Sequence, residues 1–280
     1  MSDGLALSEL SINHYLCAQG YPLGDFIELV ASTGAGAVGL TVRALDEISL
    51  PGLKRRLRDA GLRVSSLNSA GYFLYPDSAR AQAQRDLGER LIEASAALEA
   101  ETLVVITGGL SHGPWTLEEA RARVAEGIAE LAERARPAGV RLGLEPIHPM
   151  DVLDKGVVNT IAEALAIAEG RDNVGLTIDL FHSWWDRDLW AVLQRARDKV
   201  FLYQLCNVVA RDAGAKPDRA LFDEGMLDVG DIVQRIRDHG YAGFLEFELF
   251  PQHLRGRSTE DVVRAAAAQY RALAGPSAAG

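Results

Sequence analysis

The chain has 280 residues, of which 48% are hydrophobic and 24% charged, a composition typical of a globular protein with a large core. Its formal net charge of −10 argues against nucleic acid as a partner, because proteins that bind nucleic acids neutralise phosphates with a basic surface. Two cysteines are too few for a disulfide framework, and there is neither an apolar leader nor an apolar run of the roughly 18 residues that cross a bilayer. These features predict a cytoplasmic protein without a membrane partner.

Short apolar segments alternate with longer amphipathic segments along the chain, which predicts alternating strands and helices around a parallel sheet. The predicted strands cover residues 7–13, 37–41, 62–67, 102–107, 140–145, 174–179, 200–204 and 244–248. The predicted helices cover residues 23–33, 52–60, 77–98, 117–136, 158–169, 186–197, 229–239 and 259–274. This alternation predicts an α/β fold, a single (β/α)8 TIM barrel over residues 1–274, followed by a disordered tail at 275–280.

Local signals mark several element ends. Gly61 and Gly139 follow the second and fourth predicted helices, where a glycine commonly ends a helix. Asp186 and Asp228 are predicted N-cap residues of the sixth and seventh helices. The loops after strands are longer than those after helices, and in a TIM barrel the former build the active-site face. They cover residues 71–76, 108–116, 146–157 and 207–227.

Four oxygen-bearing side chains each end a short apolar segment in the second half of the chain: Glu145, Asp179, Gln204 and Glu248. A carboxylate in such a place is costly to bury unless a cation or another partner meets it. Because the strand ends of a parallel barrel open onto one face, four oxygen donors delivered this way predict a divalent metal site. The alternative, in which these acids pair only with Arg or Lys side chains, stays open at this point.

Strand alternation predicts which neighbours share a face with these acids. It places Gly143 and Glu145 on the barrel axis, together with Thr177 on the next strand. Glu246 is predicted to lie one layer deeper than the acid that ends its strand, where it needs a partner, and Arg141 is the candidate.

Five segments together resemble the sugar phosphate isomerase/epimerase family. They are Glu145-Pro-Ile-His-Pro-Met150, Asp179-Leu-Phe-His-Ser-Trp-Trp-Asp186, Gln204-Leu-Cys-Asn207, Arg219-Ala-Leu-Phe-Asp-Glu-Gly-Met-Leu-Asp228 and Gly240-Tyr-Ala-Gly-Phe-Leu-Glu-Phe-Glu248. The resemblance spans nearly the whole chain and implies a xylose isomerase-like barrel, the fold of tagatose epimerases and of the endonuclease IV group. It departs from the family pattern at Asp223, where a glycine is expected.

The resemblance implies that residues matching Glu145, Asp179 and Glu248 hold Mn²⁺ or a similar ion. The third motif of the family usually supplies a histidine ligand, and this chain has Gln204 there. All four predicted metal ligands are therefore oxygen donors, which favours Mn²⁺, with Mg²⁺ or Co²⁺ as alternatives, over Zn²⁺.

In the family, such a metal polarises a sugar carbonyl, and the residues matching Glu145 and Glu248 remove and return the neighbouring proton. His148, three residues after the first of these acids, is a candidate second base. The predicted substrate contacts are His182, Trp184, Trp185, Arg219 and Trp115.

Four further residues follow predicted strands and are expected near the same face: His14, His112, Tyr72 and Phe73. No glycine-rich phosphate cradle followed by a helix start is present, so we expect a substrate without a phosphate.

The sequence leaves three functions open. The first is a divalent-metal-dependent isomerase or epimerase of a sugar. The second is the catalytic α-subunit of a C-glycoside deglycosidase, a lyase that acts on 3-oxo C-glycosides with His148 as the expected base and needs a small β-subunit as partner. The third is a sugar-binding protein without activity, which the change to Gln204 permits. An abasic-site endonuclease shares the barrel but needs more histidine ligands and a basic groove. The oligomeric state, including a homo-oligomer, stays open.

Overall fold

The protein is described from a computed structural model, in which residues 5–210, 212 and 216–273 are placed. Eight parallel strands form a closed barrel in the order β1-β10-β7-β6-β5-β4-β3-β2, and β8 and β9 form a separate two-stranded sheet. The strands are β1 (Leu10–Asn13), β2 (Ala37–Thr41), β3 (Arg63–Gly71), β4 (Thr102–Ile106), β5 (Leu142–Leu144), β6 (Val174–Asp179), β7 (Val200–Leu205), β8 (Asn207–Val209), β9 (Asp218–Ala220) and β10 (Leu245–Phe247). The predicted TIM barrel is confirmed; its predicted tail, 275–280, lies outside the described residues.

Ten α-helices are present among the described residues. They are α1 (Leu23–Thr33), α2 (Val42–Glu47), α3 (Leu50–Asp59), α4 (Ser78–Leu98), α5 (Leu117–Ala135), α6 (Ile161–Ala168), α7 (Leu180–Ser183), α8 (Leu189–Arg195), α9 (Val229–Asp238) and α10 (Thr259–Ala272). No helix in the placed part of the chain combines the length and the apolar character that a membrane span requires.

The chain divides into two units. The first unit comprises residues up to 65 together with those from 204 onward, and the second comprises residues 66–203. In the first unit, β1 pairs in parallel with β10 and with β2, so that Ile12 lies opposite Phe247 on one side and Val38 on the other. Gly39 faces the barrel axis, because a Cβ built on it would lie 2.5 Å from Oε2 of Glu246.

In the second unit, β3, β4, β5 and β6 pair in parallel. A Cβ built on Gly143 would lie 2.2 Å from Oγ1 of Thr177, so these two residues face each other as strand alternation predicts. The glycine leaves room for the hydroxyl of Thr177, with which a β-carbon at this position would collide. The helix α4 packs against β4 and against α5, and buried residues such as Leu91 and Ile128 supply the apolar faces of the two helices.

The predicted helix-ending glycines and N-cap aspartates are correct at three of four positions. Gly61 and Gly139 have positive φ angles of 70° and 67°, as expected of residues that end helices. Asp228 caps α9 by accepting a hydrogen bond from the backbone N–H of Asp231 at 2.9 Å. The predicted cap Asp186 is wrong: α8 begins at Leu189, and Asp186 instead accepts a hydrogen bond from the N–H of Asp188 in the preceding turn.

Candidate active site

Two buried carboxylates meet in the second unit at the carboxyl ends of neighbouring strands. Glu145 directly follows β5, and Asp179 is the last residue of β6. Ligand atoms of Glu145, Asp179 and His182 all lie within 4.8 Å of one another, and the three residues are 4%, 0% and 2% exposed. Their convergence inside an apolar strand layer is the arrangement that a divalent cation stabilises.

Asp179 also shapes the backbone beside it. Its Oδ1 accepts a hydrogen bond from the N–H of Phe181 at 2.9 Å and so caps the short helix α7. The turn of this helix brings His182 back beside the acid, with Nε2 3.7 Å from Oδ2 of Asp179 and 3.7 Å from Oε1 of Glu145. One oxygen of Asp179 therefore fixes the chain while the other faces the cluster.

His182 has a hydrogen-bond donor at each ring nitrogen. The backbone N–H of His148 donates to Nδ1 at 3.2 Å, and Nζ of Lys155 lies 3.1 Å from Nε2. A neutral imidazole has one lone pair, so whichever nitrogen accepts, no lone pair is left for a metal. Of the three residues, Glu145 and Asp179 are therefore the ones that could hold a metal in this arrangement. His182 is placed to hydrogen-bond, in agreement with its predicted role as a substrate contact, which stays a prediction.

His148 is itself held by the loop that carries it. Its Nδ1 accepts a hydrogen bond from the N–H of Met150 at 3.1 Å, and its ring meets the ring of Trp185 edge-on at 5.4 Å. In the neutral ring the proton then sits on Nε2, so in this conformation His148 donates a proton more readily than it accepts one. Its predicted role as a base requires that hydrogen bond to break.

The first unit holds a second acidic cluster, built on β1, β7 and β10. Glu246 is fully buried and accepts hydrogen bonds from Nδ2 of Asn13 at 2.7 Å, Nε2 of Gln204 at 2.9 Å and Oγ of Ser65 at 2.5 Å. Nε2 of Gln204 also donates to Oε1 of Glu248 at 3.1 Å. Three neutral donors thus compensate the buried carboxylate of Glu246.

The predicted partner of Glu246, Arg141, is wrong. Arg141 is exposed, its guanidinium lies 4.7 Å from the ring centroid of Phe201, and its Nε donates to the carbonyl of Glu101. A long cationic side chain gains more from covering an apolar ring at the surface than from entering a barrel that neutral amides already fill.

Gln204 presents an unsatisfied acceptor. Its amide nitrogen serves both carboxylates of this cluster, whereas its Oε1 is buried and has no hydrogen-bond partner among the described residues. Leaving such an acceptor unpaired costs about 1–3 kcal/mol, which a bound cation or a ligand donor would offset. The residues present therefore fit a metal: carboxylates and a carbonyl oxygen are donors that hard divalent ions prefer.

Arg219, on β9, is 2% exposed and pairs with Glu248, with Nη2 3.2 Å from Oε2. Its guanidinium also lies 5.2 Å from the ring centroid of Phe250. The sequence left open whether this arginine binds substrate or forms a solvent-exposed ion pair; the ion pair exists, but it is buried. The guanidinium offsets the cost of burying the carboxylate of Glu248.

The predicted aromatic contacts divide into two groups. Trp185 donates from Nε1 to the carbonyl of His182 at 2.8 Å, which fixes the chain around the acids, and Nε1 of Trp184 is buried without a partner among the described residues. Trp115 donates to the carbonyl of Leu74, and the guanidinium of Arg123 covers its ring at 3.7 Å. Trp115 therefore packs against α5, and its predicted substrate contact stays a prediction.

Tyr72 and Phe73, which the sequence places near the active-site face, differ in orientation. A Cβ built on Gly127 of α5 would lie 2.4 Å from the ring of Phe73, so Phe73 packs on this helix. Together with α4 it borders a groove of about 260 Å³ on the helical side of the second unit. Tyr72 lies nearer the acids, since burial and then the charge of Glu145 raise the pKa of its hydroxyl, which keeps its proton.

Sequence reasoning missed Asn13, Ser65 and Lys155. Asn13 ends β1 and shares the axial face of Ser11, so the period-two pattern that located the acids could also have located it. Lys155 lies in a loop without periodicity, and only the folded chain brings it to His182.

His14 forms a polar cluster at the end of β1. Its Nδ1 lies 3.2 Å from Oγ1 of Thr41, and Nη2 of Arg43 lies 3.3 Å from its Nε2. Burial and then Arg43 lower the pKa of His14 from 6.5 to about 4.

This shift predicts a pH-dependent stability. Between about pH 4 and pH 6.5 the unfolded chain binds a proton at His14 and the folded chain does not, so the free energy of unfolding falls as the pH is lowered through this window. The shift corresponds to a loss of about 3 kcal/mol. Urea unfolding of the protein and of a His14→Gln variant at several pH values measures it, and the variant should show a flatter dependence. The exposed His239→Gln variant is the control; equal slopes for all three proteins would contradict the prediction.

The family described as xylose isomerase-like TIM barrel matches residues 27–273. An inosose isomerase of Halalkalibacterium halodurans is 30% identical over 145 residues, which are 50% of this chain and 50% of the relative. An L-ribulose 3-epimerase of Mesorhizobium japonicum is 27% identical over 218 residues, which are 74% of this chain and 69% of the relative. The match thus spans about half the length of the inosose isomerase.

Among solved structures, a protein of Sinorhizobium meliloti 1021 superposes with a TM-score of 0.87 at 31% identity, and the match covers 95% of this chain and 98% of that one. The family match covers most of the chain, and this structure matches it almost from end to end. The chain therefore belongs to the xylose isomerase-like TIM barrel family.

Proposed function

We propose that this protein is a divalent-metal-dependent isomerase or epimerase that acts on a small sugar or a related polyhydroxy ketone. The observation that carries the proposal is the buried pair Glu145 and Asp179, whose oxygens converge with His182 within 4.8 Å at the ends of two adjacent barrel strands. The relatives named inosose isomerase and L-ribulose 3-epimerase support the same reaction class.

Glu145 and Asp179 are the residues that would hold the metal in the second unit. That Gln204 and Glu248 add two further oxygen ligands stays a prediction from the sequence, supported by the unpaired carbonyl oxygen of Gln204. The donor set favours Mn²⁺, Mg²⁺ or Co²⁺. When bound, such an ion supplies charge stabilisation for a substrate oxygen that becomes negative.

The side chains themselves supply proton transfer and orientation. A carboxylate such as Glu145 or Glu248 can accept the proton next to the substrate carbonyl and return it to the same or the adjacent carbon. Arg219 fixes the orientation of Glu248 through their buried ion pair. His182 is fixed by the amide of His148, so its imidazole can meet a substrate oxygen without a cost in side-chain entropy.

The test is exchange of the substrate proton with solvent. Protein freed of metal by chelation, then supplied with Mn²⁺, Mg²⁺ or Co²⁺, is incubated in D₂O with D-ribulose, L-ribulose, D-fructose and an inosose. Loss of the proton beside the carbonyl and appearance of an isomer, both followed by NMR, are expected with at least one metal and one substrate. Absence of exchange in every combination, with metal shown to be bound, would contradict the proposal and favour a binding protein.

The C-glycoside lyase is less well supported. Its expected base, His148, has its Nδ1 lone pair engaged by the N–H of Met150, which leaves the outward nitrogen protonated. Incubation with an oxidised aromatic C-glycoside tests this alternative, and release of the aglycone would favour it.

A further inference from the structure

Arg43 follows β2 by two residues and reaches the polar cluster at the end of β1. Its Nη2 lies 3.0 Å from the carbonyl oxygen of Cys17 and 3.3 Å from Nε2 of His14. The residue is partly exposed, and Nη2 of its guanidinium is held against the protein. Two neutral acceptors thus fix its orientation.

The geometry also fixes the charge of its neighbour. A guanidinium is only a donor, so Nε2 of His14 must accept, and the ring proton then lies on Nδ1 and is donated to Oγ1 of Thr41 at 3.2 Å. His14 is fully buried in this arrangement. It therefore orients Arg43 without adding or removing charge.

The guanidinium of Arg43 is not directly paired with a carboxylate of the described residues. Among the described residues, no carboxylate lies within ion-pair distance of its guanidinium. The two nearby acids are engaged elsewhere: Glu47 accepts from the N–H of Leu23 at 2.6 Å, and Glu260 accepts from the hydroxyl of Tyr21 at 2.6 Å. Both carboxylates keep their negative charge, so they act on Arg43 from a distance and do not occupy its N–H groups.

The position connects Arg43 to the acidic cluster of the first unit. Asn13, which precedes His14, donates to Oε1 of Glu246 at 2.7 Å and lies 3.5 Å from Oε1 of Glu248. These side chains therefore form a row along the carboxyl ends of β10, β1 and β2. The row consists of Glu248, Asn13, His14 and Arg43. In this fold that end of the strands forms the substrate side.

We propose that Arg43 is a specificity-determining residue that binds an anionic group of the substrate, a carboxylate or a phosphate, and that His14 positions it. The inference rests on the proposed function for the rest of the substrate. A guanidinium held at one nitrogen keeps its remaining N–H groups in a rigid fork that matches two oxygens of such a group. An anionic group of the substrate would then be the direct ion-pair partner of this partly buried charge.

Binding of three probes of similar carbon skeleton tests this role: D-ribulose, D-ribulose 5-phosphate and a five-carbon 2-oxo sugar acid. Dissociation constants are measured by calorimetry with the protein, with Arg43→Gln and with Arg43→Lys, each with and without Mn²⁺. Arg58→Gln is the matched control, since Arg58 is exposed and pairs with Asp59. Thermal unfolding of each variant confirms that it is folded, and proton exchange in D₂O is followed in the same samples.

We expect at least one charged probe to bind about tenfold or more tightly than D-ribulose, which is the ratio that one charged hydrogen-bonded pair supplies. Arg43→Gln should remove this advantage and leave D-ribulose binding unchanged, while Arg43→Lys should keep part of it and Arg58→Gln all of it. The better charged probe identifies carboxylate or phosphate.

The proposal is overturned if neither charged probe binds better than D-ribulose, or if Arg43→Gln weakens all three equally. If Arg43→Gln does not fold, Arg43→Ala and Arg43→Lys are compared with the unmodified protein instead. A charged probe that keeps its full binding advantage over D-ribulose in these variants would also overturn the proposal. Because binding and proton exchange are separate readouts, lost exchange with retained anion selectivity would contradict the proposed reaction and leave the role of Arg43 standing.

Discussion

Replacement of Asp179 by asparagine is expected to remove most of the metal affinity of the protein and to lower turnover by about a hundredfold or more. Asp179 is fully buried, and one of its oxygens faces the cluster with Glu145 and His182. The amide keeps the acceptor that caps α7 at the N–H of Phe181, so the backbone should hold its conformation. What the change removes is a negative charge in the cluster. Alterations beside a metal ligand already cost 10–100-fold in affinity, and loss of a ligand should cost no less.

The matched control is Asp188→Asn. Asp188 lies on the same segment but is exposed, and its side chain makes no capping hydrogen bond to α8. Titration of metal-free protein with Mn²⁺ and proton exchange in D₂O give the two readouts. Wild-type Mn²⁺ affinity in Asp179→Asn would show that the ion, if bound, lies elsewhere, and an equal loss in both variants would indicate a general effect of charge.

The fold was predictable where apolar periodicity and end signals agree. The bounds of α1 match the prediction because Phe26, Ile27 and Val30 form a buried face between Pro22 and Gly34. The prediction for α6 began three residues early, at 158. Thr160 and Glu163 form a capping box there, which was legible in the sequence as a hydroxyl residue followed by glutamate at the third position.

Several short elements escaped prediction, among them α7, β8 and β9. The helix α7 spans four residues and exists because Asp179 caps it, and β8 and β9 are three residues each and depend on pairing with each other. No periodic pattern develops over so few residues, so tertiary contacts decide the structure.

The candidate site was also only partly predictable from the sequence. The acids were located because a carboxylate that ends an apolar strand is visible in the sequence, and strand alternation gave their faces. The partners of these acids could not be located, because strand alternation predicts the direction of a side chain but not its neighbour. Glu246 pairs with Asn13, Ser65 and Gln204, and these neutral donors offered no charge signal to follow.

Replacement of Arg219 by methionine is expected to lower the free energy of unfolding by about 3–5 kcal/mol, the cost of leaving a buried charge without its partner. Arg219 and Glu248 are 2% and 4% exposed, so water does not screen their interaction. Glu246, fully buried, shares the donor Nε2 of Gln204 with Glu248, which brings a second carboxylate close to the first. Without the guanidinium, the two charges repel each other in a medium of low dielectric constant.

Urea unfolding measures this effect, and Arg235→Met provides the reference. Arg235 forms a half-exposed ion pair with Asp231 within α9, so its loss should cost less than about 1 kcal/mol. A double variant that also carries Glu248→Gln should recover much of the stability, because it removes the charge that Arg219 compensates. If Glu248 is a metal ligand as the sequence predicts, Mn²⁺ should also stabilise Arg219→Met more than the unmodified protein, since the ion then replaces the missing cation. Equal stability of the Arg219 and Arg235 variants would show that the buried pair contributes no more than a surface pair.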